Sequence, residues 1–124
     1  MSIFDFMRIA KSFTFDAAHY LPNVPDGHKC KNLHGHTYKV EIELDGPVEP
    51  HTGFVMDFGE LKTVVKPLID LLDHSFLNDI EGLENSTAEN LSVWLWKKLE
   101  SDLPLLYCIS IWETPTSCCR YFGE

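Results

Sequence analysis

The sequence lacks any run of about 18 consecutive apolar residues, the minimum length of a membrane-spanning helix. Residues 1–6 also lack the basic cluster and the long apolar stretch that open a secretory signal. We therefore expect a soluble cytoplasmic protein that has no membrane partner.

Basic residues are scarce as well. Ten Lys and Arg stand against nineteen Asp and Glu, which gives a formal net charge of -9. Proteins that bind nucleic acids neutralise phosphates with clustered cations, so this balance argues against nucleic acid as a direct partner.

Cysteine is too sparse to provide a disulfide framework. The four cysteines include no Cys-x-x-Cys pair, and without a secretory signal we expect them to be reduced. Hydrophobic residues make up 44% of the chain, which is enough for a packed core without cross-links.

Two regions in the first half of the chain alternate between apolar and polar residues, as half-buried strands do. Residues 8–19 show this pattern, and residues 34–45 repeat it more cleanly after a loop that contains Pro, Asn and Gly. The pattern predicts two antiparallel strands.

Two amphipathic helices are predicted in the middle of the chain. Asp57 with Glu60, and Ser86 with Glu89, have the spacing of a capping box at a helix start. Apolar residues recur at helical spacing after each of these pairs. Pro67 falls inside the first helix and should kink or split it.

Strand patterns return near the end of the chain, at residues 107–113 and, after a turn, at residues 118–122. The element order ββααββ predicts a single α+β domain over residues 1–124. We expect a four-stranded antiparallel sheet with two helices on one face. The open edges of such a sheet favour pairing with another chain.

Three histidines are candidates for a metal site. His34 and His36 are two residues apart on one strand, so their imidazoles share a face, and His19 ends the apolar face of the preceding strand. Such a set matches a catalytic zinc site, with three protein ligands and one open position. Two histidines in a turn are the alternative for His34 and His36, whereas His28 and His51 are expected to be exposed.

Cys30 lies in the loop before His34, between Lys29 and Lys31. Two ammonium groups and a nearby metal would favour its thiolate, which could act as a base, a nucleophile or a fourth ligand. A small buried residue is the alternative, although a loop flanked by lysines is a poor place to bury one.

Two further sites contain acidic side chains. Asp73 and His74 follow the first helix, either as an acid–base pair or as residues that interact with the helix dipole. Glu113 closes an apolar strand face and needs a partner, which is either a ligand with two N–H donors or Arg120. Capping alone would account for Glu89.

Residues 15–19 and 30–36 together resemble the 6-pyruvoyl-tetrahydropterin synthase superfamily. The likeness extends over nearly the whole chain, through residues 51–53, 57–58, 61–62, 72–74, 77–78, 84–89 and 113–114. The three-residue gap between Cys30 and His34 is similar to the branch that forms 6-carboxy-5,6,7,8-tetrahydropterin in the queuosine precursor pathway. In the pyruvoyl-forming branch this gap is five residues.

The resemblance implies a T-fold in which three subunits close a barrel and two barrels stack into a hexamer. It implies a zinc-dependent carbon–carbon lyase that acts on 7,8-dihydroneopterin triphosphate and releases acetaldehyde and triphosphate. Zinc would be held by His19, His34 and His36. The alternatives are a pyruvoyl-forming synthase and a zinc-dependent pterin-binding module without turnover.

The resemblance also assigns roles to the remaining residues of the site. Cys30 would be the general base, and Asp73 and His74 would form a proton relay. The pterin ring would be bound by Glu113, with secondary contacts from Thr87 and Glu89. Lys11, Lys29, Lys31 and Arg120 are the candidates for binding the triphosphate.

Overall fold

Two long strands begin the computed structural model, which describes residues 5–124. Strand β1 spans Phe6–His19 and strand β2 spans His34–Pro47, and the two pair antiparallel along their whole length. Burial alternates along both strands, so one face is covered and the other is open. The two strands predicted from the alternation of the sequence are therefore confirmed.

Helix α1 spans Phe58–Leu72, and its N-terminus is capped as the sequence predicts. The Asp57 side chain accepts a hydrogen bond from the Glu60 backbone N–H, at 3.3 Å. Pro67 lies within this single helix, so the predicted alternative in which it splits the helix is wrong. The buried stripe that fixes α1 against the sheet continues on both sides of the proline, and it consists of Leu61, Val65, Ile69 and Leu72.

Helix α2 spans Ala88–Leu99, and its cap differs from the predicted one. The Thr87 hydroxyl accepts a hydrogen bond from the Asn90 N–H at 3.1 Å, so Thr87 is the N-cap and Ser86 is not. The third residue of the helix is therefore Asn90, whereas a capping box has Glu or Gln at that position. Two adjacent residues that can both cap a helix cannot be ranked by spacing alone.

The sheet has five strands in the order β3-β1-β2-β4-β5. Strands β4 (Leu106–Thr114) and β5 (Ser117–Tyr121) form the antiparallel hairpin predicted at the end of the chain. Strand β3 (Ser75–Phe76) lies between the helices in the sequence and pairs parallel to β1. The predicted α+β fold with two helices is confirmed. The sheet differs from the predicted one by the added parallel strand β3, because a two-residue strand is too short to show an alternating pattern.

The hydrophobic core lies between the covered face of the sheet and the two helices. The largest fully buried side chains include Tyr38, Ile42, Leu44, Leu61, Leu72, Leu91, Leu95 and Ile109.

Neither α1 nor α2 combines the length and apolar character that a membrane crossing demands, within the part of the chain that is described.

Ile42 is fully buried in the centre of β2, whereas Ser12 faces the open side of the sheet. We expect Ile42→Ala to lower the free energy of unfolding by about 2–5 kcal/mol, because it leaves a cavity. Ser12→Ala should change it by no more than about 0.5 kcal/mol. Urea denaturation of both variants measures the difference, and equal losses would contradict the assigned faces.

Candidate active site

Three histidines meet where β1 ends and β2 begins. His19 is the last residue of β1 and lies directly opposite His34, and His36 follows on the same face of β2. One ring nitrogen of each lies within 4.8 Å of the others. The ring centroids of His19 are 4.6 Å from His34 and 5.2 Å from His36. The antiparallel register therefore assembles the predicted triad.

Hydrogen bonds orient two of these rings. Nδ1 of His19 lies 3.0 Å from the backbone oxygen of Ser86, and Nδ1 of His34 lies 2.7 Å from that of Asn32. A carbonyl oxygen only accepts, so both Nδ1 atoms carry the proton and both Nε2 atoms have an unprotonated lone pair. Histidines that bind metals commonly use this arrangement.

The third ring has an unmet requirement. Nε2 of His36 is buried and has no hydrogen-bond partner within residues 5–124. A buried polar atom without a partner is costly, and such an atom in a native fold calls for an explanation. A metal ion bound to this lone pair would supply one. Three imidazoles with free lone pairs fit the donor set of a catalytic zinc site.

Burial also sets the protonation of the triad. It lowers the pKa of His19 to about 4, with a smaller contribution from the nearby rings of His34 and His36. Burial likewise lowers the pKa of His36, although the charge of Glu113 opposes this effect. Both side chains are therefore neutral at pH 7, which is the form that binds a metal ion.

Cys30 lies near this cluster in the sequence but outside it in space. It is in a short 3-10 helix, Lys29–Lys31, where the His28 ring accepts a hydrogen bond from its backbone N–H at 3.0 Å. Within residues 5–124, the group of ligand atoms that includes the three histidines does not include its thiol. Lys31 pairs with Asp26 at 2.7 Å, which offsets one of the two charges expected to act on the thiol.

Asp73 and His74 form the contact that the sequence left open. Nδ1 of His74 lies 3.1 Å from Oδ1 of Asp73, and their side chains are 79% and 40% exposed. A hydrogen bond from the Asp16 backbone N–H is the main cause of the lowered pKa of Asp73. His74 has a positive φ of 57°, which turns the chain out of α1 towards β3.

An open cleft of about 510 Å³ extends from His74 to the strand that carries His34 and His36. Both His36 and His74 line it, so groups from the two clusters border one space. The other residues that line this cleft include Asp16, Gly35, Thr37 and Ser75.

Glu113 lines a second, smaller cleft of about 230 Å³, together with Glu89 and Cys119. Burial and then the charge of Glu113 raise the pKa of Tyr38, a neighbour of the triad on β2. In the β4–β5 ladder Arg120 lies opposite Ser110. Within the described residues, no ion pair joins Arg120 to Glu113. The predicted alternative partner of Glu113 is therefore absent.

The observed N-cap of α2 is Thr87 and not the predicted Ser86, which changes the interpretation of Thr87 and Glu89. Thr87 is engaged as the N-cap through its hydroxyl. Glu89 lies in the first turn, one position before the residue whose N–H the cap binds, and its side chain is exposed at the cleft. Capping no longer accounts for Glu89.

Sequence reasoning missed four residues that support the site, namely Asp16, Asn32, Tyr38 and Ser86. Tyr38 continues the face of His34 and His36 at the same two-residue spacing, so strand alternation could have identified it. Its hydroxyl lies 3.3 Å from both ring nitrogens of His19. Ser86 is 67 positions from His19, and no local pattern indicates their contact.

Known proteins resemble this chain over nearly its full length. A family model described as 6-pyruvoyl tetrahydropterin synthase matches residues 8–124. The chain is 42% identical over 121 residues to the 6-carboxy-5,6,7,8-tetrahydropterin synthase of Synechocystis sp., covering 93% of this chain and 92% of that protein. It is 37% identical to the enzyme of the same name from Haemophilus influenzae, covering 92% and 97%.

A solved structure shows the same fold. The 6-pyruvoyl tetrahydropterin synthase of Caenorhabditis elegans superposes with a TM-score of 0.90 and 31% identity, and the match covers 100% of both chains. The fold predicted from the sequence is confirmed by this similarity.

The lowered pKa of His19 gives a prediction for the metal-free protein. In the unfolded chain His19 takes up a proton near pH 6.5, whereas in the folded protein it does so only near pH 4. Folding stability from this residue is therefore complete above pH 6.5 and is lost as the pH falls towards 4. The loss should be on the order of 3 kcal/mol.

Urea denaturation in the presence of a chelator, at pH 7, 5.5 and 4.5, measures this effect. His19→Gln removes the titrating group, so its stability should fall less steeply with pH than that of the parent chain. Equal slopes for the two proteins would contradict the assignment.

Proposed function

Because this chain belongs to the 6-pyruvoyl tetrahydropterin synthase family, we propose that it is the synthase that forms 6-carboxy-5,6,7,8-tetrahydropterin in queuosine biosynthesis. The substrate is 7,8-dihydroneopterin triphosphate, and the other products are acetaldehyde and triphosphate. The observation that carries this proposal is the full-length similarity to two enzymes of that name. The reaction is a carbon–carbon cleavage that also consumes one water molecule.

Zinc is the cofactor that best suits the donor set. His19, His34 and His36 would hold it through Nε2, and the buried Nε2 of His36 would gain the partner it lacks. When bound, zinc supplies Lewis acidity that makes the carbon beside the substrate's side-chain oxygens more acidic, and it leaves one position open for the substrate.

Cys30 is the proposed general base for the side-chain proton. The Cys30 backbone is held on both sides, because its N–H donates to the His28 ring and its carbonyl accepts a hydrogen bond from the Leu21 N–H at 2.8 Å. The thiol is half-buried, so it can reach a substrate without being fully solvated. Its place outside the histidine cluster is consistent with a base and does not favour a fourth ligand.

Asp73 and His74 are the proposed relay. Asp73 accepts hydrogen bonds from a backbone N–H and from the His74 ring, so it can orient that ring and stabilise it when it carries a proton. The exposed ring can deliver protons as triphosphate leaves and the carbon–carbon bond breaks.

Glu113 is the proposed pterin-binding residue. A carboxylate accepts two parallel N–H donors, which the pyrimidine edge of a pterin provides. It lines a cleft with Glu89, has no Arg120 partner and lies near enough to His36 for their charges to interact. Thr87 and Glu89, at the start of α2, would make secondary contacts.

We also infer a homo-oligomer, a hexamer of two stacked trimers. The sheet ends in two open edges, β3 and β5, and edge pairing between copies would close them into a barrel. Large apolar side chains that are exposed in the single chain include Phe6, Phe54, Phe58 and Phe122. The four free cysteines agree with a reducing, cytoplasmic location.

Metal analysis tests the zinc assignment. The purified protein should contain about one zinc ion per chain, and His36→Ala should lose most of it because one of three ligands is gone. His51→Ala is the matched control, since His51 lies in an exposed turn. Full zinc content in a His34→Ala, His36→Ala double variant would refute the site.

Product analysis tests the reaction. Incubation with 7,8-dihydroneopterin triphosphate should release acetaldehyde and a pterin of the mass of 6-carboxy-tetrahydropterin. Cys30→Ala should retain zinc and fold but lose turnover by about 10²-fold, the scale expected for a general base. Ser12→Ala, on the open face of β1 and lining neither cleft, should retain turnover.

Two results would contradict the proposal. Pyruvoyl-tetrahydropterin without acetaldehyde would assign the chain to the pyruvoyl-forming activity named for the Caenorhabditis elegans relative. Pterin binding without any turnover would indicate a binding module.

A further inference from the structure

Asp16 holds the relay pair from the neighbouring strand through its main chain. Its backbone N–H donates to Oδ1 of Asp73 at 2.9 Å, and its carbonyl accepts from the backbone N–H of His74 at 2.6 Å. Two main-chain bonds from one residue thus place both members of the pair. Parallel pairing of β1 with β3 continues this contact at Ala17 and Ser75.

The side chain of Asp16 is itself fixed beside the same pair. The Thr37 hydroxyl, directly across the β1–β2 ladder, donates to Oδ1 of Asp16 at 2.5 Å. One carboxylate oxygen of Asp16 lies within 4.8 Å of ligand atoms of both Asp73 and His74. Asp16, Thr37 and His74 all line the cleft of about 510 Å³.

A positive charge beside the two carboxylates would relieve the repulsion between them. Like charges this close repel each other, and neither Asp16 nor Asp73 has a Lys or Arg partner within residues 5–124. Within the described residues, the His74 ring lies beside both carboxylates and can become a cation. That ring is 79% exposed, so the surrounding protein restrains it little beyond its contact with Asp73.

We propose that Asp16, held by Thr37, is a positioning residue for His74. Its negative charge keeps the His74 imidazole turned into the cleft and stabilises the ring while it holds a proton. No covalent bond forms or breaks on Asp16, and the proton stays on His74 until it is passed on. The inference rests on the proposed function of Asp73 and His74 as a relay.

Asp16→Asn isolates the charge, because it retains both main-chain bonds and an amide oxygen that can accept from Thr37. We expect kcat to fall about tenfold, the scale of a screened charge interaction near a surface, with KM changed less than about twofold. Zinc content and melting temperature should not change. Asp16→Glu restores the charge and should recover most of kcat.

Thr37→Val tests the anchor of the carboxylate. It should lower kcat by a smaller factor, and in combination with Asp16→Asn it should add little, because both changes act on one contact. Thr14→Val is the matched control. Thr14 lies on the same open face of β1 as Asp16, two residues before it, and the substitution should leave kcat unchanged.

A second measurement does not depend on turnover. NMR relaxation of the His74 ring in the full-length protein should show greater ring mobility in Asp16→Asn and Thr37→Val, but not in Thr14→Val. If the unmodified protein made none of the proposed product, the proposed function would fail, and this measurement would still decide the positioning role.

Three outcomes would overturn the role of Asp16. The first is unchanged kcat and ring mobility in Asp16→Asn. The second is an Asp16→Glu variant no more active than Asp16→Asn, which would show that the charge has no part. The third is loss of zinc from Asp16→Asn, which would make the residue part of a metal site.

Discussion

The antiparallel register of β1 against β2 is the constraint on which the rest of the structure depends. His19 lies opposite His34, and Ala17 lies opposite His36, so all three imidazoles share the covered face. Side chains alternate between faces with a period of two, so a slip of one residue would move one strand's histidines to the wrong side. The same slip would expose the apolar residues of that strand. Core packing and assembly of the histidine triad therefore select the same register.

The fold could be predicted wherever a pattern repeats over several residues. Strands β1 and β2 each span 14 residues, and the buried stripe of α1 covers about three turns, so their burial is evident from the sequence. Strand β3 has two residues and is held by pairing with β1, which local sequence does not report. The cap of α2 was misassigned because Ser86 and Thr87 are equally suitable in sequence, and the contact of Ser86 with His19 decides between them.

The candidate site likewise has a part that the sequence predicts and a part that it does not. The histidine triad follows from strand geometry, because spacing alone places His34 and His36 on one face. The contacts that orient these rings come from main-chain oxygens of Asn32 and Ser86, and a carbonyl has no signature in an amino-acid sequence. The position of Asp16 beside His74 is likewise a product of tertiary pairing across 57 positions or more. Residue types were predictable, but their partners were not.

The backbone of His74 has a consequence for the evolution of this chain. A positive φ costs a residue with a side chain on the order of 1 kcal/mol, whereas glycine adopts it without penalty. Selection for stability alone would therefore replace this histidine with glycine or asparagine. Under the proposed relay role, the imidazole of His74 is therefore kept at a cost in the stability of the fold. A lineage that had lost the activity would be expected to drift towards glycine at this position first.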